Sequence, residues 1–306
     1  MIDFHTPAPE DKSWVDARLA QGNYQACEYN FTTLFTWAPG YSITIADVDG
    51  FLAARLRGSL GCGYLWPSGD GDLDRMLTDL ERDAEERGVP FRLLCLTGPE
   101  MEELERLRPG EFCFTGDRDS YDYLYEIDKL ADLEGRKLHG KRNHCKRFEE
   151  ENPTWVYEDL SVEVLGECME MDAAWDRRSR EREGAGEAED ISNEKKALLL
   201  AAQNFETLGL EGGLLRVNGE VVAFTMGDRL SSDTFDVHFE KAFGEMQGAF
   251  AVINREFARS VRRRHPEIRY LNREDDMGIE GLRRAKESYY PDLMVEKHWA
   301  VRKEQN

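Results

Sequence analysis

Long uninterrupted hydrophobic runs are missing from this chain. The longest stretch without a charge, 29–46, is broken by Asn30, four threonines, Pro39, Gly40 and Ser42, so no membrane span is expected. Paired cysteines are missing as well. Cys27, Cys62, Cys95, Cys113, Cys145 and Cys168 form no CxxC motif and no closely spaced framework, which excludes a disulfide-stapled secreted scaffold. The opening residues MIDFHTPAPEDKSW have neither the basic start nor the apolar run of a signal peptide. A cytoplasmic protein with reduced thiols is the expectation.

Basic charge is scarce. Forty lysines and arginines face 61 acidic residues, for a formal net charge of -21, so the whole molecule should be repelled by nucleic acid and by anionic membranes. A polyanionic ligand would therefore need a local positive patch, and the segment GRKLHGKRNHCKRF, 135–148, supplies one. It holds Arg136, Lys137, Lys141, Arg142, Lys146 and Arg147 and no acid. On a helix, Lys137 and Lys141 are four apart, as are Arg142 and Lys146, and such pairs repel mildly unless something negative answers them. Phosphates could do so by releasing counterions; so could the chain's own abundant carboxylates. His139, His144 and Cys145 have no second ligand pair at metal-site spacing, and no metal is expected.

With 306 residues and 41% hydrophobic content the chain is long enough for two domains. In the first part YSITIAD, FLAARLR and GYLW read as strands, the first two joined through Val48, Asp49 and Gly50. A helix over 72–87, the strand FRLLCL, a helix in PEMEELERL and the strand EFCFTG follow. The second part repeats that order: GGLLRV, the turn Asn218-Gly219, EVVAFTMGDRL, DTFDVHFE, a helix over 247–263, IRYLN, a helix over 278–287 and the strand LMVEKHWAV. Between them lie the strand YDYLYEI, a basic helix over about 129–150, WVYEDL, and two helices on either side of REREGAGEAEDIS, which reads as a solvated loop. This predicts an α/β (α+β) protein of two similar domains, 1–118 and 119–306, each with a mixed central sheet. The order matches the GNAT acyltransferase fold.

Six blocks carry a more specific likeness: EYNFTTLFTW (28–37), LEGRKLHGKRNHCKRF (133–148), VVAFTMGD (221–228), HFEKA (238–242), AVINREFA (251–258) and NREDDMGIEGLRRAKESYYP (272–291). Together they resemble the DUF2156 family, which includes the catalytic C-terminal domains of phosphatidylglycerol lysyltransferases. The resemblance implies a tandem GNAT fold related to the Fem transferases, which moves an aminoacyl group from charged tRNA to an acceptor such as a lipid hydroxyl. Those lysyltransferases carry a many-helix membrane region before the catalytic part; none is expected here, which leaves a small-molecule acceptor open beside a lipid.

Two segments supply the expected site. In the strand DTFDVHFE and the residues after it, His238 and Glu240 alternate onto one side and Lys241 onto the other. Glu240 is read as a general base, as a carboxylate holding a substrate amino group, or as an arginine's partner. In the last block Asn272, Arg273, Glu274 and Asp275 stand at a strand-to-helix junction where ligands of such folds collect. Asp275 or Asp276 suits a helix cap, and Lys286 is a cation within reach of a carbonyl or phosphate oxygen. An internal ion-pair network is the other reading of this cluster.

An aminoacyl ester is already activated, and no GxSxG motif is present, so direct attack in a ternary complex is expected. Lys141, Arg142 and Asn143 would hold donor phosphates, with His238, Lys241, Asn272, Arg273 and Glu274 also lining the site. Glu240 or Asp275 would take the proton, and Lys286 or backbone amides would steady the oxyanion. Gln247, Gly248 and Ala249 stand where a GNAT domain grips coenzyme A pyrophosphate, but without the glycine spacing, which favours another donor. No tightly bound cofactor is expected. An acyl-CoA-dependent N-acyltransferase and a non-catalytic ligand-binding protein are the alternatives.

Overall fold

The computed structural model describes residues 1–58, 61–183 and 188–303. In chain order the elements begin with α1 (Lys12–Gly22), α2 (Phe31–Thr36), α3 (Ala38–Tyr41), β1 (Thr44–Val48), β2 (Phe51–Gly58), β3 (Gly61–Leu65) and β4 (Ser68–Gly69). Next come α4 (Leu73–Glu86), β5 (Arg92–Leu96), α5 (Gly98–Leu107), β6 (Phe112–Gly116), β7 (Asp122–Glu126), α6 (Ile127–Asp132), α7 (His139–Glu151) and β8 (Val156–Asp159). Then follow α8 (Leu165–Glu183), α9 (Ala188–Gln203), α10 (Phe205–Leu208), β9 (Glu211–Val217), β10 (Glu220–Arg229) and β11 (Thr234–Ala242). The chain ends with α11 (Ala249–Arg264), β12 (Tyr270–Asn272), α12 (Glu280–Glu287), β13 (Leu293–Val295) and β14 (His298–Arg302). Of the loop expected in REREGAGEAEDIS, residues 184–187 lie outside the described ones, and the residues on either side are helical.

The chain forms two compact units. The first comprises 1–122, 275–280 and 294–306, and its sheet runs β1-β2-β3-β5-β14-β6, with β4 on β2. The β1–β2 hairpin turns on Asp49 and Gly50, both at positive φ, as a tight two-residue turn requires. α4 buries Met76, Leu77, Leu80 and Ala84, the face its apolar spacing predicts.

The second unit comprises 123–274 and 281–293, and its sheet runs β13-β7-β12-β11-β10-β9-β8. Asn218 and Gly219, again both at positive φ, make the β9–β10 turn. β10 is buried from Val221 to Asp228 and needs cover on both faces. α11 covers one face, with Phe257 edge-on to Phe235 of β11 at 5.8 Å.

Each sheet has the expected antiparallel meander followed by a parallel strand, but the strand after that is exchanged. In the first sheet the place between β5 and β6 is filled by β14, from the end of the chain. In the second, β7 fills the corresponding place between β12 and β13, although it precedes the rest of that meander in sequence. The expected terminal strand LMVEKHWAV is accordingly two strands: β13 ends at Val295 in the second sheet, and β14 lies in the first. A division at 118/119 with a second domain running to 306 therefore differs from the packing, because β14 finds hydrogen-bond partners on both edges in the first sheet.

The basic helix also differs from expectation. It is two helices, α6 and α7, separated by a corner in which Leu133 and Gly135 take positive φ. Leu133 and Leu138 are buried and anchor the corner. The Arg142 guanidinium ties it together by donating to the carbonyl oxygens of Leu133 and Gly135.

Candidate functional site

β11 and β12 pair in parallel only through Thr234–Tyr270, Phe235–Leu271 and Asp236–Asn272. Beyond those pairs β11 runs on to Ala242 while β12 ends, and the chain leaving β12 turns as Arg273 and Glu274. Asn272 sets that turn: it is fully buried, and its side-chain oxygen accepts from Glu274 N at 2.6 Å, with Glu274 in the left-handed region at φ 54°.

Arg273 and Glu240 form the centre of the site. The guanidinium Nη2 lies 2.8 Å from Glu240 Oε1, and the two side chains are only 13% and 10% exposed. Burial works against the arginine's charge, but Glu240 more than offsets it, and the group stays firmly protonated. Arg273 also lies 5.9 Å from the ring centre of Tyr125 and 5.2 Å from that of Tyr289. Asn254, on the buried face of α11, donates to Glu240 Oε2 at 3.2 Å. Two buried polar atoms beside this pair have no hydrogen-bond partner among the described residues: Arg273 Nη1, a donor, and Asn254 Oδ1, an acceptor. Each would cost about 1–3 kcal/mol if left unsatisfied.

Lys141, on α7, joins the group from above. Its ammonium sits 3.9 Å from the centre of the Tyr289 ring. Burial, with the Arg273 charge nearby, brings its pKa down to about 8. It is a lysine that releases its proton at about pH 8, beside the Glu240 carboxylate, the Arg273 guanidinium and the Tyr289 ring.

His238 sits apart from this pair, at a bulge where the β10–β11 register skips it. Its ring is within 3.0 Å of Asp228 through Nε2 and 3.1 Å of Glu274 through Nδ1, with Asp236 at 3.7 Å. Carboxylates only accept, so both ring nitrogens donate and the ring is an imidazolium. Burial opposes that charge, but Asp236 and Asp228 outweigh it and raise the pKa well above its ordinary value. Asp236, His238 and Glu274 lie close enough to hold a metal ion, as do Cys27, Glu28 and Asp122 in the first unit. In each cluster a protein cation already balances the carboxylates: His238 in one and Lys297 in the other.

The other expected residues take supporting positions. Lys286 is buried and donates to the carbonyl oxygens of Arg273 at 2.5 Å and Glu274 at 3.1 Å. Tyr125 OH in turn donates to the Lys286 carbonyl at 2.7 Å, so α12 and β7 clamp the turn that presents Arg273. Arg142 is engaged with the α6–α7 corner. Asn143 is exposed and hydrogen-bonded to His139. Lys241 points away from Glu240, as the alternation predicts, to Glu194 at 2.7 Å and the Trp175 ring at 4.4 Å. Asp275 and Asp276 belong to the segment packed with the first unit. There Asp275 accepts from Met277 N, and buried Asp276 accepts from Gly278 N and faces Arg118.

Sequence reading missed Asn254, Tyr125 and Tyr289. Asn254 had a signal: it falls in the helical stripe of Ala251, Ala258 and Val261, all buried, where an amide needs a partner. The tyrosines had none, because a buried aromatic ring reads as core.

The helix expected to grip a coenzyme pyrophosphate is α11, and its N-cap, Gly248, has φ 90°. A β-carbon there would overlap the carbonyl oxygen of His144, so the backbone of α7 crosses directly over the start of α11.

Among curated proteins none matches this chain. A protein of unknown function from Bacteroides thetaiotaomicron is similar in sequence and structure, with 37% identity over 99% of this chain and 100% of that one, and a TM-score of 0.90. The structure of L-PGS from Bacillus licheniformis shares the fold at 14% identity, covering 100% of this chain and 95% of the other, with a TM-score of 0.66. FemX does so at 11% identity, covering 98% and 97%, with a TM-score of 0.60. The family model described as phosphatidylglycerol lysyltransferase, C-terminal, matches residues 19–301, and the chain belongs to that family.

Proposed function

We infer that the chain transfers an aminoacyl group from charged tRNA to a lipid or small-molecule acceptor, with the reaction centred on Glu240, Arg273 and Lys141. One observation carries this reading: a buried donor, Arg273 Nη1, and a buried acceptor, Asn254 Oδ1, flank the Glu240 carboxylate with no partners among the described residues. An aminoacyl ester presents the complement, a carbonyl oxygen that accepts and an ammonium that donates, one carbon apart. The ammonium meets Asn254 Oδ1 and Glu240; the carbonyl oxygen meets Arg273 Nη1.

Chemistry follows from that pose. Neutral Lys141 takes the proton of the acceptor's nucleophile as its oxygen or nitrogen bonds to the carbonyl carbon. Negative charge develops on the carbonyl oxygen, where Arg273 Nη1 donates to it. Collapse breaks the bond to the ribose oxygen, which recovers the proton from Lys141. Lys286, spent on two backbone carbonyls, holds the turn in place. Asp275 takes no part in this scheme.

Acyl-coenzyme A is the less favoured donor, because α7 lies over the start of α11 where a pyrophosphate would need open backbone amides. Titration calorimetry with acetyl-CoA, set against filter binding of charged tRNA at moderate salt, separates the two. Tight coenzyme binding with no tRNA affinity reverses the order. With charged tRNA as donor, Arg273→Gln should lower turnover by about 10²–10³-fold. Undiminished transfer by Arg273→Gln and Glu240→Gln alike removes the assignment of the site.

A further inference from the structure

Tyr289 and Tyr290 are consecutive but face different surroundings. Tyr289 is buried against Arg273 and under Lys141. Tyr290 is 44% exposed, and its ring lies under Lys137, with the ammonium 5.2 Å from the centroid. Lys137 stands just before α7 and Lys141 in its first turn, and the two cations lie over successive rings. Tyr290 forms one wall of a surface cavity of about 380 Å³, which Arg136, Lys137, Glu134, Pro291 and Asp292 also line. Lys129 and Asp292 pair with each other at 3.0 Å, which leaves Arg136 and Lys137 as the cavity's cations.

Tyr290 takes the left-handed conformation, at φ 55°, at the end of α12. That position ordinarily carries glycine or asparagine, and a tyrosine there is strained. Its ring does not repay the strain by filling a core, since it is exposed. Strain held at an exposed aromatic beside a cavity points to a ligand.

We propose that this cavity is the subsite for the terminal nucleoside of the donor, with the base stacked on Tyr290 and the adjoining phosphate held by Arg136 and Lys137. Glu134 then supplies an acceptor for a ribose hydroxyl. The inference rests on the aminoacyl-tRNA reading above and adds where the donor's end sits. Adjacent residues have α-carbons roughly 3.8 Å apart, so the outer ring and the Tyr289 side of the reaction centre lie close together along the chain. That suits a nucleoside whose ribose carries the ester directly. Coenzyme A instead separates its nucleotide from its thioester by the whole pantetheine arm.

The test uses the full chain and two probes. One is 5′-phosphorylated adenosine bearing a lysyl or alanyl group through a stable 3′-amide; the other is the matching amino-acid amide without the nucleoside. Tyr290→Leu should weaken the nucleoside probe about tenfold, in line with one lost base stack, and leave the amino-acid amide unchanged. Lys137→Gln should flatten the salt dependence of nucleoside-probe binding. Tyr290 and Lys137 are both exposed, so both variants should fold, and unchanged circular dichroism checks it. If Tyr290→Leu binds the nucleoside probe like wild type and still accepts charged tRNA normally, the subsite is wrong and the aminoacyl reading stands. If the wild type binds neither probe and transfers nothing from charged tRNA, both fall. Acetyl-CoA binding that Tyr290→Leu weakens also overturns the proposal, since the cavity would then hold the coenzyme's nucleotide.

Discussion

Lys141 illustrates how a side chain's chemistry depends on its neighbours. On an exposed basic helix it would stay charged to high pH; half-buried, beside Arg273 and over Tyr289, it titrates at about 8. Transfer should therefore rise with pH toward a plateau above about 8, and Lys141→Gln should lose both that limb and about 10²–10⁴-fold in rate, read from a pH–rate profile. His238 makes the opposite case. Its folded pKa is raised, so the stability it contributes is fully present below about pH 6.5 and is lost as pH rises through the folded value. His238→Gln would leave Asp228, Asp236 and Glu274 without their shared cation, at a cost of about 3–5 kcal/mol near pH 6. The gap between wild-type and variant denaturation midpoints should narrow in alkali. Glu240 and Arg273 were legible from charge at a strand end; Asn254 was legible in principle as a polar residue in an apolar stripe. That Glu240 and Arg273 are each other's partner was not, since they come from strands separated by a helix.

The run Asn272-Arg273-Glu274-Asp275-Asp276 reads as one charged cluster, but the turn sends each residue a different way. Asn272 folds the turn, Arg273 enters the site, Glu274 meets His238, and the two aspartates close the turns that follow. The candidate site and the ion-pair network thus share the same few residues, and the two readings of the sequence describe neighbouring side chains. The packing of α7 on α11 is equally local. Gly248→Ala would place a β-carbon into the His144 carbonyl and strain a left-handed backbone, costing about 2 kcal/mol or more. Thermal melting should show a fall of several degrees, with lower activity as Lys141 shifts off Tyr289. The break between α6 and α7 was not predictable from the basic composition, because it depends on where Leu133 and Leu138 find cover.

Exchange of β7 and β14 ties distant parts of the chain into each sheet. In the first unit the residue just before β14, Lys297, is 1% exposed, with its ammonium 2.7 Å from Asp122 and 2.8 Å from Glu28. Burial opposes its charge, but Asp122 leads the surrounding groups in raising its pKa well above the ordinary lysine value. Lys297→Met would strand both carboxylates and should cost about 3–5 kcal/mol, measured by urea unfolding. The glutamate belongs to the block EYNFTTLFTW, and its cation comes from 269 positions away in the chain. Across the described residues no helix is long and apolar enough to cross a membrane, in keeping with the broken charge-free stretches of the sequence.

Local information was enough for most elements, both hairpin turns, the mixed sheets and the family. Hydrophobic period and turn chemistry act between residues a few positions apart, and those the sequence displays directly. Which strand completes which sheet, which cation answers which carboxylate, and how far burial shifts Lys141 and His238 were decided only by the folded chain. Each is a matter of distance and dielectric between residues remote in sequence, and neither quantity exists until the backbone has brought them together.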